Sequence, residues 1–250
     1  MTTRDALLGG RIPYRQPARG YRVALEAPMV ARFAIDGRRR PFEHAVDLGS
    51  GPGAIALMLT ATGWAARATA VEVDATHAEL AAENARGQPI EVVHADVRHL
   101  PPIAPADLVI ANPPWFETDQ GAVAPEPSRA AARAFVHGAL QSFLTAARKL
   151  LGPRGRLVIT LPASRTTELF DALERSGLHP KRARFVHPRP QREAQVVFVE
   201  AKPGKPGGLE IGPPWCVRPE HGESYVPETE DALWGRWPRA SSGTAEAEPP

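Results

Sequence analysis

From Phe42 onward the sequence alternates between short apolar runs and amphipathic stretches, and this alternation is the strongest constraint on the fold. It is typical of repeated strand–helix units, which form a mostly parallel sheet with helices on both faces. We predict seven strands, near residues 44–48, 68–73, 90–94, 107–111, 156–161, 182–187 and 194–201. Helices are predicted near 26–35, 53–62, 76–86, 129–150 and 165–176.

Only residues 187–193 separate the last two predicted strands, which leaves no room for a helical crossover. We therefore expect an antiparallel hairpin at the edge of the sheet. The chain then divides into three parts. Residues 1–40 form a basic N-terminal arm, extended over Arg11–Gly20, with a short helix; residues 41–202 form the α/β domain; residues 203–250 form a Pro- and Gly-rich extension whose end, Ser241–Pro250, we expect to be disordered.

The composition, with 43% hydrophobic and 23% charged residues, is that of a soluble globular chain with one large domain. No apolar run reaches membrane-spanning length and the first residues lack the apolar core of a signal peptide, so we expect a cytoplasmic protein. The single cysteine, Cys216, rules out an internal disulfide. The histidines have no metal-ligand spacing, so no metal is expected.

Positive charge is concentrated in two segments. Residues 1–40 carry nine arginines against three acids, and residues 181–206 carry seven Lys or Arg against two acids, although the whole chain has a net charge of only +2. A polyanion partner such as RNA fits this distribution, and so does a solvated arginine-rich surface.

Polar residues follow the first three predicted strands. Asp47 precedes a loop containing Gly49, Ser50, Gly51 and Gly53, where glycines let the backbone approach a ligand closely. The loop also fits a dinucleotide-binding spacing, but a carboxylate at Asp47 would repel a pyrophosphate and can accept from an ammonium group. Glu72 ends the second strand, where it can hold a ribose, and Asp96 follows the third, where it can accept from an adenine amine.

The fourth of these strands, Asp107–Ala111, leads directly into Asn112-Pro113-Pro114-Trp115-Phe116. Two consecutive prolines fix the direction in which the chain leaves the sheet. This holds the Asn112 amide oxygen, a proline carbonyl and an aromatic ring in a fixed relation, which suits a planar group that carries an NH2. The alternative is a strand followed by a Pro-Pro loop with a packing tryptophan.

Together these motifs resemble the class I S-adenosylmethionine-dependent methyltransferases, and the N-terminal residues Leu7–Arg11, Arg15–Pro17 and Gly20–Arg22 resemble more narrowly the bacterial tRNA(Val) adenine-N6 methyltransferase group. The resemblance implies a Rossmann-like sheet and S-adenosylmethionine as cofactor. It implies cofactor contacts from Asp47, Gly49, Ser50, Gly51, Gly53, Glu72, Val73, Asp96, Val97 and Asn112. It departs from the group's pattern at Trp115, where Tyr or Phe is usual.

The implied activity is N6-methylation of adenine in RNA, most specifically tRNA, with catalytic residues Asn112, Pro113, Pro114 and Trp115. Substrate contacts are predicted from Trp115 and Phe116 to the target base, and from Arg11, Arg15, Arg189 and Arg192 to phosphates. Two alternatives remain: a protein glutamine N5-methyltransferase, which uses the same Asn-Pro-Pro chemistry on a side-chain amide, and a non-catalytic RNA-binding protein that keeps the fold.

Overall fold

The computed structural model describes residues 1–19, 22–113 and 140–240. The Asn-Pro-Pro segment is therefore described only as far as Pro113. The predicted site residues Pro114, Trp115 and Phe116 lie outside the described residues, as do the first part of the helix predicted over 129–150 and the terminal segment Ser241–Pro250.

The described chain contains eleven strands, nine of them in one central sheet. They are β1 (Thr2–Leu7), β2 (Ile12–Pro17), β3 (Phe42–Leu48), β4 (Ala65–Glu72), β5 (Ile90–His94), β6 (Ala106–Ala111), β7 (Leu151–Pro162), β8 (Leu178–His187), β9 (Val196–Pro203), β10 (Glu210–Ile211) and β11 (Trp215–Cys216). The central sheet has the order β5-β4-β3-β6-β7-β9-β8, with β10 and β11 both on the outer side of β8.

All neighbouring strands of this sheet are parallel except β9, which is antiparallel to both β7 and β8. The chain enters the sheet at β3 in the middle, moves outward to β5, and then returns to place β6 on the other side of β3. This reversal opens a crevice at the carboxyl ends of the central strands, which is where open α/β sheets bind their ligands.

Helices cover both faces of the sheet. They are α1 (Glu26–Ile35), α2 (Ala54–Ala61), α3 (Ala75–Asn84), α4 (residues 140–150), α5 (Thr166–Arg175) and α6 (Pro227–Leu233), with a 3-10 turn at Ala163–Arg165. One apolar core packs α1 and α2 on the sheet, and a second packs α4 and α5. Because both faces are covered, β6 is apolar except at Asp107, and its last four residues are fully buried.

The predicted fold class is confirmed. Each of the seven predicted strands occurs within a few residues of its expected position, and the last two pair as an antiparallel hairpin from Val186–Val196 to Leu178–Pro203. The predicted helices also occur within the described residues, and α1 has the predicted bounds. The sheet has nine strands rather than seven because the C-terminal extension contributes two short ones.

The N-terminal segment differs from the predicted extended arm. β1 and β2 form an antiparallel hairpin whose register runs from Thr2–Pro17 to Leu7–Ile12. The side chains of Tyr14 and Gln16 are buried, in alternation with neighbours that are half-buried or exposed. This period-two pattern is short and lies among Arg, Pro and Gly residues. The composition therefore favoured an extended arm over a β-hairpin.

The C-terminal extension is part of the fold rather than a linker. Its strands β10 and β11 pair in parallel with β8, and so cover an edge that would otherwise offer unpaired backbone groups. Tryptophan indoles fix it in place: Trp215 Nε1 donates to Thr229 Oγ1 at 2.9 Å, and Trp64 Nε1 donates to the Pro238 carbonyl at 2.7 Å. The described part of the extension is therefore laid over the surface and hydrogen-bonded into the sheet.

The two terminal segments meet at the hairpin turn, which suggests a matched pair of substitutions. Gly9 and Gly10 both have positive φ, 66° and 89°, but a Cβ at Gly9 would lie 2.2 Å from the Trp234 ring, whereas at Gly10 nothing lies within 4 Å. We expect Gly10→Ala to cost about 1 kcal/mol of backbone strain and Gly9→Ala to cost at least about 1 kcal/mol more. Chemical denaturation of both variants measures this, and equal destabilisation would show that Trp234 does not constrain the turn.

Candidate functional site

Four strand ends bring the predicted site residues to one edge of the sheet. Leu48 of β3 pairs with Val71 of β4 on one side and with Ala111 of β6 on the other. Glu72 in turn pairs with His94 at the end of β5. Because neighbouring strands lie about 4.8 Å apart, Glu72 and Asn112 face each other across β3 at roughly 10 Å between backbones.

The glycine loop is a tight turn held by backbone bonds. The Gly49 and Ser50 amides both donate to the Val71 carbonyl, at 2.9 and 3.0 Å. Gly49, Gly51 and Gly53 all have positive φ, which favours glycine at each position. A Cβ at Gly49 would lie 3.1 Å from the Phe143 ring, so this loop has no room for a side chain at that point.

The Glu72 side chain connects the glycine loop to β4, and its carboxylate retains one unused hydrogen-bond acceptor position. Its side chain is buried, and Oε2 accepts from the Gly51 amide at 2.7 Å. Oε1 accepts from the amides of Val73 and Asp74, both at 2.9 Å. Since an ionised carboxylate can accept about four hydrogen bonds, the three backbone donors leave one position on Oε2. That position can take a ligand hydroxyl.

Asp47 lies beneath the loop, 2% exposed, with Oδ2 accepting from the Ala56 amide at 3.2 Å. Burial, reinforced by the nearby charge of Glu72, raises the pKa of Asp47 to about 7, against a lowering from the Ala56 hydrogen bond. A buried carboxyl with such a pKa is poised to ionise when a cation approaches.

Asp96 follows β5 and is held by Arg98. The Arg98 guanidinium and backbone amide donate to both carboxylate oxygens, and these bonds lower the pKa of Asp96 to about 2. The carboxylate is therefore ionised at neutral pH, and a ligand amine would share it with an exposed arginine. Val73 leaves 60% of its surface exposed beside this edge, and Val97 packs against the second apolar core.

Asn112 has a partner that the sequence did not indicate. The Thr160 hydroxyl, 1% exposed on β7, donates to Asn112 Oδ1 at 2.6 Å. This bond fixes which end of the amide is the acceptor, and a carbonyl oxygen retains a second lone pair after one bond. Thr160 was missed because it lies within an apolar strand about 50 residues from Asn112, and only the strand order brings the two together.

Asn84, at the end of α3, is a second residue that sequence reasoning missed. Its Oδ1 accepts from the Arg15 amide at 2.8 Å, while its Nδ2 donates to the carbonyls of Arg15 and Pro52, both at 2.9 Å. One side chain therefore connects the N-terminal hairpin to the glycine loop. An asparagine at a helix end carries no sequence signal for such a bridge.

Three of the four arginines predicted to contact substrate have intramolecular partners. Arg11 donates to the Gly235 carbonyl at 3.2 Å, Arg15 pairs with Glu83 at 2.8 Å, and Arg189 pairs with Glu223 at 2.8 Å. Arg189 also donates to the carbonyls of Pro219 and Gly222, which fixes the C-terminal extension. Arg192 is exposed in the β8–β9 turn. Their contact with substrate stays a prediction.

Within residues 1–19, 22–113 and 140–240, no group of three or more His, Cys, Asp or Glu side chains is arranged to hold a metal ion. In the same part of the chain, no helix has the length and apolar character needed to cross a membrane.

The strand order and the crevice define the fold of the class I methyltransferases, and solved structures agree. A predicted O-methyltransferase from Agrobacterium tumefaciens superposes with a TM-score of 0.67 at 22% identity, covering 86% of this chain and 98% of that chain. The 16S rRNA N2 methyltransferase of T. thermophilus, solved with AdoMet and guanosine, gives a TM-score of 0.55 at 19% identity over 82% of this chain and 50% of its own.

The chain belongs to the methyltransferase small domain family, whose sequence profile matches residues 34–176. The predicted resemblance to the tRNA(Val) group is confirmed. A tRNA1(Val) (adenine(37)-N6)-methyltransferase of Porphyromonas gingivalis is 29% identical over 170 residues, which are 64% of this chain and 66% of the relative. One of Vibrio vulnificus is 30% identical over 180 residues, which are 69% of this chain and 74% of the relative.

The raised pKa of Asp47 predicts a pH-dependent stability that Asp47→Asn removes. Between its ordinary pKa of 3.8 and about 7, the carboxyl ionises in the unfolded chain but stays protonated in the folded one. The contribution of Asp47 to the free energy of unfolding is therefore fully present below pH 4. It is lost as the pH rises to 7, by about 1.4 kcal/mol per pH unit or roughly 4 kcal/mol in all.

Urea denaturation of both proteins from pH 4 to 8 measures this. We expect the free energy of unfolding of Asp47→Asn to rise relative to wild type as the pH increases, because an amide does not titrate. A difference between the two proteins that stays constant across this range would contradict the raised pKa.

Proposed function

We propose that this protein transfers a methyl group from S-adenosylmethionine to the exocyclic N6 of an adenine in RNA, and that the RNA is a tRNA. The observation that carries the proposal is the Asn112 amide, oriented by Thr160 at the end of β6 beside the crevice that Glu72 and the glycine loop enclose. The names of the relatives support the same acceptor. Such an RNA substrate goes with a cytoplasmic enzyme.

The residues of the crevice fit S-adenosylmethionine in chemistry. Gly49, where a Cβ would meet Phe143, and the rest of the glycine loop would border the methionine part, and Asp47 would accept from its ammonium group. The open position on Glu72 suits a ribose hydroxyl, while Asp96 with the exposed Val73 suits the adenine. The cofactor, when bound, supplies a methyl group already activated by a sulfonium.

Little acid–base chemistry is therefore needed from the protein, which mainly aligns the acceptor nitrogen. The Asn112 oxygen would accept one hydrogen of the target amine and the Pro113 carbonyl the other. These bonds draw the nitrogen lone pair out of conjugation with the ring and toward the methyl donor. Pro113 is buried and Asn112 half-buried, so both acceptors lie at the inner end of the crevice. The amine proton can leave late, after the new bond has formed.

Two observations favour this function over a protein glutamine methyltransferase and over a non-catalytic RNA-binding protein. A glutamine side chain offers the same NH2 to Asn112, but the relatives are named for tRNA adenine. A non-catalytic protein would not need the Asn112 amide oriented by a buried hydroxyl, nor an acceptor held open on Glu72.

The cofactor assignment is tested by calorimetric titration with S-adenosylmethionine and with NAD. We expect binding of the former alone, and we expect Glu72→Gln to weaken it by about 10- to 100-fold, since the NH2 that replaces one carboxylate oxygen cannot accept from a backbone amide or from a ribose hydroxyl. Glu79→Gln, an exposed glutamate on α3, is the matched control and should bind like wild type. NAD binding of similar strength would overturn the assignment.

The role of Asn112 is tested by three variants in single-turnover methylation of an unmodified tRNA transcript. Asn112→Ala removes an acceptor that acts mostly in the transition state, so kcat should fall by about 10² to 10³ with KM little changed. Thr160→Val frees the amide to rotate and should lower kcat by about tenfold, whereas Thr160→Ser keeps the hydroxyl and should restore most of it.

Affinity for S-adenosylmethionine, measured in parallel, should be unchanged in both Thr160 variants and weakened far less than turnover in Asn112→Ala, which also loses one implied cofactor contact. Near-normal turnover by Asn112→Ala would remove this residue from the catalytic centre. A Thr160→Ser variant as slow as Thr160→Val would show that the hydroxyl does not position the amide.

A further inference from the structure

A second cleft, which we call the basic cleft, lies at the edge of the sheet opposite the crevice. It has a volume of about 680 Å³ and is bordered by the loop before β3, the first half of β7, the start of β8 and the end of β9. Its charged lining consists of Arg38, Arg39, Arg40, Arg156, Lys181, Arg182 and Lys202 with Asp36, Glu200 and Glu210.

Seven cationic side chains thus face three carboxylates, a formal excess of four positive charges. Glu200, 2% exposed, is the centre of the ionic contacts: Arg156 and Arg182 each lie 3.1 Å from its carboxylate, and Lys202 lies 3.3 Å from it. Arg182 also lies 3.8 Å from the Asp36 carboxylate, so two carboxylates face these three cations and leave them under-neutralised. The Arg156 Nε atom is also buried without a hydrogen-bond partner among the described residues.

Among the described residues, the other cations of the basic cleft form no ion pair with a carboxylate. Lys181 donates to the Lys205 carbonyl at 2.7 Å, which satisfies a donor without cancelling its charge. Arg38 stacks on the Phe42 ring at 3.9 Å and donates to the Arg40 carbonyl. Burial and the charge of Arg156 lower the pKa of Arg38. This cluster of like charges would be relieved by an anion in the cleft.

Arg39 and Arg40 are exposed on the rim, and neither forms an ion pair within the part of the chain that the structure describes. The aromatic rings near the cleft are already covered, Phe42 by Arg38 and Phe33 by Arg182 at 4.5 Å. The cleft can therefore hold phosphates but offers no ring on which a base could stack. Such a surface positions a nucleic acid without reading its sequence.

We propose that the basic cleft binds backbone phosphates of the RNA substrate, as a second contact remote from the reacting base. This inference rests on the proposed RNA substrate. The strands between the two sites are about seven residues long, so the sites are roughly 20 Å apart. A helical stem advances by roughly 3 Å per base pair, so about seven base pairs span the distance. A small free anion would contact only some of the cationic side chains that line the basic cleft.

The test reverses the two rim charges with Arg39→Glu/Arg40→Glu, which disturbs no ion pair among the described residues. The control is Arg67→Glu/Arg86→Glu, two exposed arginines at the same edge of the sheet on its β4–β5 flank. Binding of an unmodified tRNA transcript is measured by fluorescence anisotropy from 50 to 300 mM KCl, with S-adenosylmethionine affinity and methylation of the same tRNA in parallel.

We expect the rim variant to lose about tenfold or more in tRNA affinity at low salt, with a salt slope shallower by about two, because two phosphate contacts are lost. The control should stay within about threefold of wild type. S-adenosylmethionine affinity should be unchanged in both.

Equal loss in both variants would mean that only net charge matters and would overturn the proposal. Unchanged tRNA binding in the rim variant would overturn it too. In that case a titration with inorganic tripolyphosphate shows whether the cleft is a small-anion site instead. A wild-type protein that binds tRNA through the cleft but does not methylate it would refute the proposed function and leave the cleft assignment standing.

Discussion

The pairing of β3 with β4 on one side and β6 on the other is the constraint on which the rest of the structure depends. Because all three strands are parallel, their carboxyl ends meet at one edge, where Asp47, Glu72 and Asn112 come together. The Glu72 carboxylate can reach the Gly51 amide only across this boundary. Likewise, β7 beside β6 brings the Thr160 hydroxyl to the Asn112 amide.

The two edges of the sheet differ in how their charged side chains are arranged and paired. At the crevice, Glu72 is buried and held by backbone amides, while the half-buried Asp96 is held by a single arginine. At the opposite edge, one buried carboxylate organises an excess of cations. The predicted polyanion surface therefore has a structural counterpart, but its residues come mainly from the loop before β3 and from β7 to β9, while Arg11 and Arg15 of the predicted arm bond within the protein.

Much of the fold could be predicted because local sequence patterns specify its strands and loops. Apolar runs such as Leu108–Ala111 and the glycine turn at Gly49 specify strands and a strand-to-helix loop without knowledge of distant residues. The missed features are those that only tertiary structure creates. Tyr14 is buried because it packs into the first apolar core, and Thr160 and Asn84 gain their roles from neighbours far away in sequence. The C-terminal strands are two residues long, too short for any periodic signal.

The bond between Trp64 and Pro238 spans 174 residues, and this has a consequence for how the protein is made. On the ribosome, the strands from β3 to β9 leave the exit tunnel before the Pro238 carbonyl that accepts from the Trp64 indole. Until then a fully buried tryptophan lacks the segment that covers it, and the outer side of β8 has no partner strand. Packing of the C-terminal extension onto the sheet is thus the last step of folding, and it distinguishes the nascent α/β domain from the finished protein.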